Sequence, residues 1–338
     1  MKRLVSVFIG AFVLFSAQVQ AHHSRANFDN DKDLELTGKV IDYSWRNPHV
    51  YVEIEVLDKS GKPKTWLVEA HSVTGMKGKG WSRDTLIEGS SVTIVGHPDR
   101  NPEKAFMLMS YIQKPGEDRL YAFNRGPKNK DDIEPSTDFS GTWDLDFSRF
   151  NVKQAGGGPP KWSYTDAAQA QADAYSVNDN PELTCHPIGV PKIVIYPYAI
   201  NWFREGDVIR IEKEHLDESR TIYLNPEAVA NKKVIPSYVG TSIGRFESKR
   251  HLVVETTGFL PTPWGNANGI DSSEQKKVTE HYHLAEDGLS MEIRYTIEDP
   301  VYLTEPATAT GGYFKAKSRA FEKLGCDQRT ASRHLEVE

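Results

Sequence analysis

Alternation of hydrophobic and polar residues divides much of the chain into short strands. The clearest example is VYVEIEV at positions 50–56, in which valine and isoleucine alternate with tyrosine and glutamate. Successive side chains of a β-strand point to opposite faces, so this pattern predicts a strand with one apolar face. LELTGKVIDYSW (34–45) predicts a long strand before it, and KTWLVEA (64–70) predicts another after the turn KSGKPK (59–64).

A helical connector and two further strands complete the first half. SVTGMKGKGWSRDTLIEG (72–89) predicts a short helix or two turns, and SVTIVGHPD (91–99) and KAFMLMSYIQ (104–113) predict strands. Three strands, a helical connector and two strands are the element order of an OB-type barrel. Gly38, inside the first strand, provides the bend that such barrels need. We therefore predict a five-stranded OB-like barrel over residues 22–124.

The second half reads as a series of hairpins. Residues 199–215, 242–259 and 279–300 each contain two strand-like runs around a turn, and the clearest turn is Asp287-Gly288. Adjacent hairpins are most economically closed as an antiparallel barrel. WSYTDAAQAQADAYS (162–176) predicts one helix that plugs or covers a barrel end.

A polar stretch separates the two halves. RGPKNKDDIEPSTD (125–138) is rich in charge, proline and glycine and has no periodicity. We therefore predict a linker over residues 125–137 and a second barrel over residues 138–338. The fold class predicted for the whole chain is all-β.

The first 21 residues have the pattern of a secretory signal peptide. Lys2 and Arg3 precede an apolar run, and small residues stand at the positions that a signal peptidase reads before Ala21. The run is shorter than the about 20 residues that span a bilayer, and no later segment is apolar enough. We expect cleavage after Ala21 and a periplasmic or secreted bacterial protein. A retained membrane anchor is the weaker alternative.

Composition excludes some partners and suggests a disulfide. The chain has a formal net charge of -6 and no basic run, so it lacks the electrostatic footprint of a nucleic-acid-binding protein. Its mean hydropathy of -0.54 excludes an integral membrane protein. An exporting compartment oxidises thiols, so Cys185 and Cys326 are expected to form a disulfide, with a catalytic thiol as the alternative.

Each half resembles a group of exported bacterial proteins. The pieces AHHS (21–24), LTGKV (36–40), WRNPH (45–49) and GWSRDTLIEG (80–89) resemble a secreted family of the domain-of-unknown-function kind. That resemblance implies the fold and export, and it implies that His22, His23 and His49 belong to one pattern.

The second half carries a separate resemblance. Its GTW followed by hairpins loosely resembles lipocalin-like barrels. RTIYLN, SIGRFES…LVVETTGF and YTIEDPVYLTEP resemble another exported bacterial group more closely. No reaction follows from either likeness.

Histidines provide candidate metal ligands. Cleavage after Ala21 would free the amine of His22, which can chelate one ion together with its own imidazole. His23 and His49 would complete a nitrogen-rich site that suits copper first, then nickel or zinc. The alternative is an exposed, disordered terminus. HYH (281–283) places two imidazoles on one strand face, where His215, His251 or a neighbour of Glu280 would have to supply a third ligand. A polar outer strand face is the alternative.

Charged and aromatic residues of the second half suggest a ligand cavity. If the polar face of strand 208–215 looks inward, Glu212 and Arg220 pair as an acid/base group and an anion clamp, with Tyr196 and His281 as further catalytic candidates. The candidate ligand-binding aromatics are Tyr198, Trp202, Tyr223, Trp264 and Tyr295. Solvent-exposed charges and ordinary core packing are the competing explanations for these residues.

We find no P-loop, no dinucleotide-binding glycine motif, no nucleophile elbow and no C-x-x-C pair, so no nucleotide cofactor is expected. The preferred hypothesis is a periplasmic binding protein for a small hydrophobic or aromatic ligand, with a possible amino-terminal copper site. An enzyme using acid/base residues in the second barrel and a cell-envelope interaction module are the two alternatives.

Overall fold

The computed structural model describes residues 28–58, 60–123, 133–151, 157–196, 198–216, 218–230, 235–316 and 321–332. They form two closed β-barrels connected in series. The predicted all-β class, with an OB-like barrel followed by a second, lipocalin-like barrel, is confirmed. Within the described residues, no helix is long and apolar enough to cross a membrane.

The first barrel has the strand order of an OB fold. Its elements are β1 (Leu34–Ser44), β2 (Tyr51–Leu57), β3 (Pro63–Glu69), α1 (Val73–Lys77), β4 (Ser91–Pro98) and β5 (Phe106–Gln113), followed by the short edge strand β6 (Leu120–Tyr121). The sheet runs β3-β2-β1-β4-β5, and a parallel pairing of β3 with β5 closes it.

Gly38 lets β1 approach β2 closely. A Cβ atom built at this position would lie 2.3 Å from the carbonyl oxygen of Glu55, so no other residue fits without a shift of the backbone. A register shift between Val40 and Asp42 follows it in the same strand. Together they provide the strand bend that the sequence predicts.

The second barrel contains nine strands. Its elements are β7 (Gly141–Leu145), β8 (Ile200–Glu205), β9 (Val208–Lys213), β10 (Ser219–Tyr223), β11 (Thr241–Ser248), β12 (His251–Thr257), β15 (Lys277–Leu284), β16 (Ser290–Glu298) and β17 (Ala307–Lys315). The strands β13 (Thr262–Ala267) and β14 (Ile270–Ser272) form a separate hairpin. All barrel pairings are antiparallel except β10–β11, which is parallel.

Short helices fill the connections of the second barrel. They are α2 (Asp166–Asp173), α3 (Lys192–Ile195), α4 (Glu227–Ala230) and α5 (Gln328–Ser332), with 3-10 turns at Phe147–Arg149, Val177–Asp179 and Pro181–Thr184. The predicted Ala- and Gln-rich helix is α2, whose Ala168 packs against Ala267 and Ile270 of the β13–β14 hairpin.

The segment that enters the barrel core is α3. Val190, Ile193, Val194 and Ile195 are all buried in the main core cluster of the second barrel. The hydroxyl of Tyr313 on β17 donates a hydrogen bond to the carbonyl oxygen of Val194. A helix of four residues between prolines gives no helical periodicity, which is why the sequence pattern did not identify it.

The predicted disulfide is confirmed. Cys185 and Cys326 are bonded, with their Cα atoms 5.7 Å apart. Leu324, two residues before Cys326, is buried in the core of the first barrel. Its backbone N–H donates to the carbonyl oxygen of Glu214 in the second barrel, at 3.3 Å. The carboxyl-terminal segment therefore packs against both barrels.

Candidate functional site

The second barrel encloses a buried ion pair. Arg220 on β10 is 1% exposed, and its guanidinium donates to both carboxylate oxygens of Glu280 on β15. It also donates to the hydroxyls of Ser242, at 2.8 Å, and Thr256, at 2.7 Å. The hydroxyl of Tyr282 donates to Glu280 at 2.9 Å. Both charges are well hydrogen-bonded within the protein, so we interpret the pair as structural.

The second barrel contains three buried lysines, and the ammonium groups of two of them donate hydrogen bonds to backbone carbonyl oxygens. The Lys213 ammonium donates to the carbonyl oxygens of Ile193, at 3.0 Å, and Tyr196, at 2.9 Å. The Lys276 ammonium donates to Val190, at 3.0 Å, and Gly265, at 3.1 Å. Each amine thus tethers the α3 segment. Burial lowers the pKa of each of these two lysines to about 7.

Lys192 is the third buried lysine and differs from the other two. It begins α3 and is 1% exposed. Its ammonium lies 5.5 Å from the ring centroid of Trp264 and 5.9 Å from that of Tyr196. No described residue accepts a hydrogen bond from this ammonium or forms an ion pair with it. Burial lowers its pKa, although the nearby carboxylates of Glu182 and Glu218 oppose this.

A carboxylate–imidazole pair lies beside Lys192. Glu182 Oε2 and His215 Nε2 are 3.1 Å apart, and both residues are buried. Burial raises the pKa of Glu182, but the hydrogen bond from His215 and the charge of Lys192 outweigh it, so the net pKa is lowered. The ring centroids of Tyr198 and His215 lie 4.4 Å apart. Within the described residues, Glu182 Oε1 and His215 Nδ1 have no hydrogen-bond partner.

Glu218 is a second carboxyl group in this region. Its Oε1 accepts a hydrogen bond from the Gly189 N–H at 3.2 Å, while Oε2 has no partner among the described residues. Burial raises the pKa of Glu218 to about 7. We call Lys192, Glu182, His215, Glu218, Tyr196, Tyr198 and Trp264 together the Lys192 site.

Trp264 covers the Lys192 site from the β13–β14 hairpin. It has a positive φ of 54°, which is uncommon for a bulky residue. Its backbone N–H donates to Asp271 Oδ1 at 2.9 Å, and its ring lies 5.4 Å from that of Tyr175. A strained backbone held by such contacts is often found at functional sites.

The structure brings together three of the residues that the sequence singled out as catalytic or ligand-binding. The rings of Tyr196 and Trp264 lie near the Lys192 ammonium, and Tyr198 packs beside Tyr196 with ring centroids 5.8 Å apart. Trp202 and Tyr295 are buried in the barrel core with Arg220, and Tyr223 is half-buried at the end of β10. Whether any of these residues contacts a ligand stays a prediction.

The predicted pairing of Glu212 with Arg220 is wrong. Glu212 lies opposite Ser219 in the β9–β10 ladder, whereas Arg220 lies opposite Ile211. The two side chains therefore point to opposite faces. The apolar face of β9 looks inward because isoleucine burial is favourable, and Glu212 forms outward ion pairs with Arg210 and Lys323, both at 3.3 Å.

The candidate metal ligands are dispersed. His22 and His23 lie outside the described residues, so the copper prediction stays a prediction. His49 Nδ1 lies 3.3 Å from the carbonyl oxygen of Ala70 and 3.5 Å from a Glu69 carboxylate oxygen. His281 lies on the outer face of β15, away from the barrel core. Among the described residues, no group of three or more His, Cys, Asp or Glu side chains is already arranged to hold a metal ion.

Sequence reasoning missed the lysines and carboxylates at the centre of the Lys192 site. Lys192 interrupts the apolar run VPKIVI (190–195), and Lys213 stands at the inward-facing position that follows Ile209 and Ile211. A lysine in an otherwise buried pattern is a usable signal, because lysine is rarely fully buried without a partner. Nothing comparable marks Glu182 or Glu218.

Comparison with known proteins bears on the first barrel. Residues 11–107 match the model of a family described as "Family of unknown function (DUF6152)". This stretch ends inside β5, so it covers well under half of the chain and does not reach the Lys192 site. No curated protein matches the sequence.

Proposed function

We propose that the protein binds a small aromatic molecule bearing a carboxylate, and that the Lys192 site holds it. The observation that supports this is the Lys192 ammonium, which is buried with aromatic rings around it and with no acceptor among the described residues. A buried charge without a hydrogen-bonded partner is costly, and a ligand carboxylate would offset that cost.

Lys213 and Lys276 provide an internal comparison. They are as deeply buried as Lys192, yet each donates to two backbone carbonyl oxygens. The fold therefore has the means to satisfy a buried ammonium where the role is structural. Lys192 has no such carbonyl acceptors among the described residues, as we expect of an ammonium group that binds a ligand.

The remaining groups of the Lys192 site define the rest of the ligand. The rings of Tyr196, Tyr198 and Trp264 favour an aromatic body. Glu182 Oε1 has no partner within the described part of the chain, and it would accept a hydrogen bond from a ligand hydroxyl. A hydroxylated aromatic acid combines all three features. Trp264 is 8% exposed, and we propose that a ligand enters by displacing its ring.

An exported location agrees with the chemistry of the chain. The Cys185–Cys326 disulfide is of the kind that persists in an oxidising compartment. The signal peptide predicted for residues 1–21 would deliver the protein there. We therefore place the binding function in the periplasm or the surrounding medium.

Turnover at the same groups is the alternative, and one observation favours it. Glu218 has a pKa raised to about 7, which suits a group that exchanges protons near neutral pH. Recovery of a chemically altered aromatic acid after incubation with the protein would identify an enzyme, whereas recovery of unchanged ligand identifies a binding protein.

The binding proposal is tested with Lys192→Met and its matched control Lys276→Met. Isothermal titration with 4-hydroxybenzoate, benzoate and the neutral 4-hydroxybenzyl alcohol measures the role of the carboxylate. We expect the wild type to prefer 4-hydroxybenzoate, and Lys192→Met to lose at least about tenfold in affinity, or about 1.4 kcal/mol. Lys276→Met, once shown to be folded by circular dichroism, should bind within about threefold of wild type, a difference of under about 0.7 kcal/mol.

The free energy of unfolding of the two variants without ligand tests the proposal independently of binding. Lys192→Met should lose less stability than Lys276→Met. Lys192 has no hydrogen-bond acceptor among the described residues to leave behind, although Glu182 loses a nearby positive charge, whereas Lys276→Met leaves two carbonyl oxygens unpaired. Equal losses of stability in the two variants would show that the Lys192 ammonium is satisfied within the protein. That result, or equal binding of acid and alcohol, would overturn the proposal.

A further inference from the structure

Three histidines gather on the outer face of the second barrel, remote from the Lys192 site. His251 begins β12, and His281 and His283 alternate along the neighbouring strand β15. In the ladder between these strands, His251 lies opposite His283 and Val253 lies opposite His281. The intervening residues Leu252 and Tyr282 are fully buried, so the three imidazoles share the outward face.

The imidazoles of His251 and His281 point ring nitrogens at each other. His251 Nε2 and His281 Nδ1 are 3.2 Å apart. On its other side, His251 Nδ1 lies 3.0 Å from Glu247 Oε2. A carboxylate in this position accepts the Nδ1 proton, which leaves Nε2 of His251 as an unprotonated acceptor.

We propose that His251 Nε2 and His281 Nδ1 bind a divalent transition metal ion of the zinc class, with His283 as the third ligand. Zinc–nitrogen bonds of about 2.0–2.1 Å at a tetrahedral angle separate two ligand nitrogens by about 3.3–3.4 Å. The observed separation of 3.2 Å is close to this spacing. When the ion binds, the proton that His281 Nδ1 donates to His251 Nε2 moves to His281 Nε2, so that both nitrogens present lone pairs to the metal.

Glu247 supports this proposal because its carboxylate contacts the ring nitrogen of His251 that does not face the metal. Histidine ligands usually donate their second ring N–H to a carboxylate or carbonyl, which fixes the tautomer and the ring orientation. Glu247 stands in that relation to His251. Glu247 also pairs with Arg245 at 3.2 Å, so its carboxylate is held from two sides.

His283 must move to complete the site. Its ring stacks on that of His251, with centroids 3.9 Å apart, and this agrees with the finding that no three ligands already converge within the described chain. A cleft of about 300 Å³ beside it, lined by His281, His283, Arg294 and Thr296, leaves room for a rotated ring and for water ligands. Because Arg294 adds a positive charge there, an anion such as chloride is the expected fourth ligand.

The test uses the full chain carrying His22→Ala and His23→Ala, which removes any chelation at the amino terminus. Isothermal titration with Zn²⁺ should then show one bound ion per chain. In that background, His251→Ala and His281→Ala should each weaken binding at least tenfold, and His283→Ala about threefold. His97→Ala, whose imidazole lies on the first barrel near the Lys32 carbonyl oxygen, serves as the control and should bind as the parent does.

Nitrogen-15 NMR of the imidazole rings separates metal binding from a simple hydrogen bond. Zn²⁺ should shift the resonances of His251 Nε2 and His281 Nδ1 in the parent protein, while the His251 Nδ1 proton remains on its nitrogen. Unchanged ring resonances at saturating Zn²⁺, or an affinity in His251→Ala equal to that of the parent, would overturn the proposal. Circular dichroism of each variant excludes loss of the fold as the cause.

Discussion

The five-stranded barrel fills its main core with apolar side chains, whereas the nine-stranded barrel encloses arginine, glutamate and lysine as well. Within the described part of the first barrel, the buried polar residues are Asn47 and Ser72, and no charged residue is buried. The second barrel buries the Arg220–Glu280 pair together with its three lysines. Both barrels are built from similar alternating strands, so we attribute the difference to the larger volume that nine strands enclose.

Barrel width explains part of this difference. The diameter of a barrel grows with its number of strands, and nine strands enclose more space than their own apolar side chains fill. The α3 segment and the long side chains of Arg220 and Tyr282 occupy that space. Where the buried polar groups are mutually satisfied, they hold the structure together. Where a buried charge has no hydrogen-bond acceptor among the described residues, as at Lys192, it supports the binding function that we propose.

The largest effect is expected from breaking the Arg220–Glu280 pair. Arg220→Met leaves the Glu280 carboxylate buried without its cation, and loss of one partner of a buried pair typically costs about 3–5 kcal/mol. Urea unfolding followed by circular dichroism measures the change in the free energy of unfolding. No matching substitution can be made in the first barrel, because its described residues contain no buried ion pair.

The double variant Arg220→Met/Glu280→Leu sharpens this prediction. Replacing both charges with apolar side chains removes the unpaired carboxylate, so the double variant should regain most of the stability that the single variant loses. A single variant that loses less than about 1 kcal/mol, or a double variant no better than the single, would contradict the structural role assigned to the pair.

Alternation of residues predicted much of the fold, since it reports directly which side chains share a strand face. The OB strand order follows from five such runs and one helical connector, and the Cys185–Cys326 disulfide follows from two cysteines and a predicted signal peptide. Alternation does not say which charged residues enter a wide barrel. Arg220 points inward and Glu212 outward because of the register between β9 and β10, which the sequence does not state.

The Lys192 site was only partly predictable for a related reason. Tyr196, Tyr198 and Trp264 stood out as a dense group of aromatic residues, but the charged groups among them come from segments far apart in the chain. Glu182 and Glu218 precede and follow α3 in the chain, and both lie close enough to Lys192 to oppose the lowering of its pKa. A four-residue helix has too few residues to display a period, so the sequence pattern did not predict α3, and the signal left was a lysine within an apolar run.

A smaller effect is expected where the second half of the chain contributes to the first barrel. Leu324 is 5% exposed in the core of the first barrel, although it lies beyond the last strand of the second. Leu324→Ala should cost about 2–3 kcal/mol by leaving a cavity there. Leu57→Ala is the control, because Leu57 is 66% exposed at the end of β2 and its loss should cost under about 0.5 kcal/mol. Equal costs would show that the carboxyl-terminal segment does not support the first barrel.

The smallest effect is a dependence of stability on pH that comes from buried titratable groups of the second barrel. Burial raises the pKa of Glu218 to about 7 from an ordinary value of 4.5, so between these pH values the folded protein keeps a proton that the unfolded chain has released. Stability should therefore fall as the pH rises from 4.5 to 7, by at most about 1.4 kcal/mol per pH unit. Glu218→Gln should remove this slope.

Lys213 and Lys276 have pKa values lowered to about 7 from 10.5, so the unfolded chain holds the extra proton and their contribution to stability rises with pH above 7. Urea unfolding of both proteins at pH 5 and pH 6.5 thus reports on Glu218 separately from the lysines, and parallel slopes for wild type and Glu218→Gln would contradict the assignment.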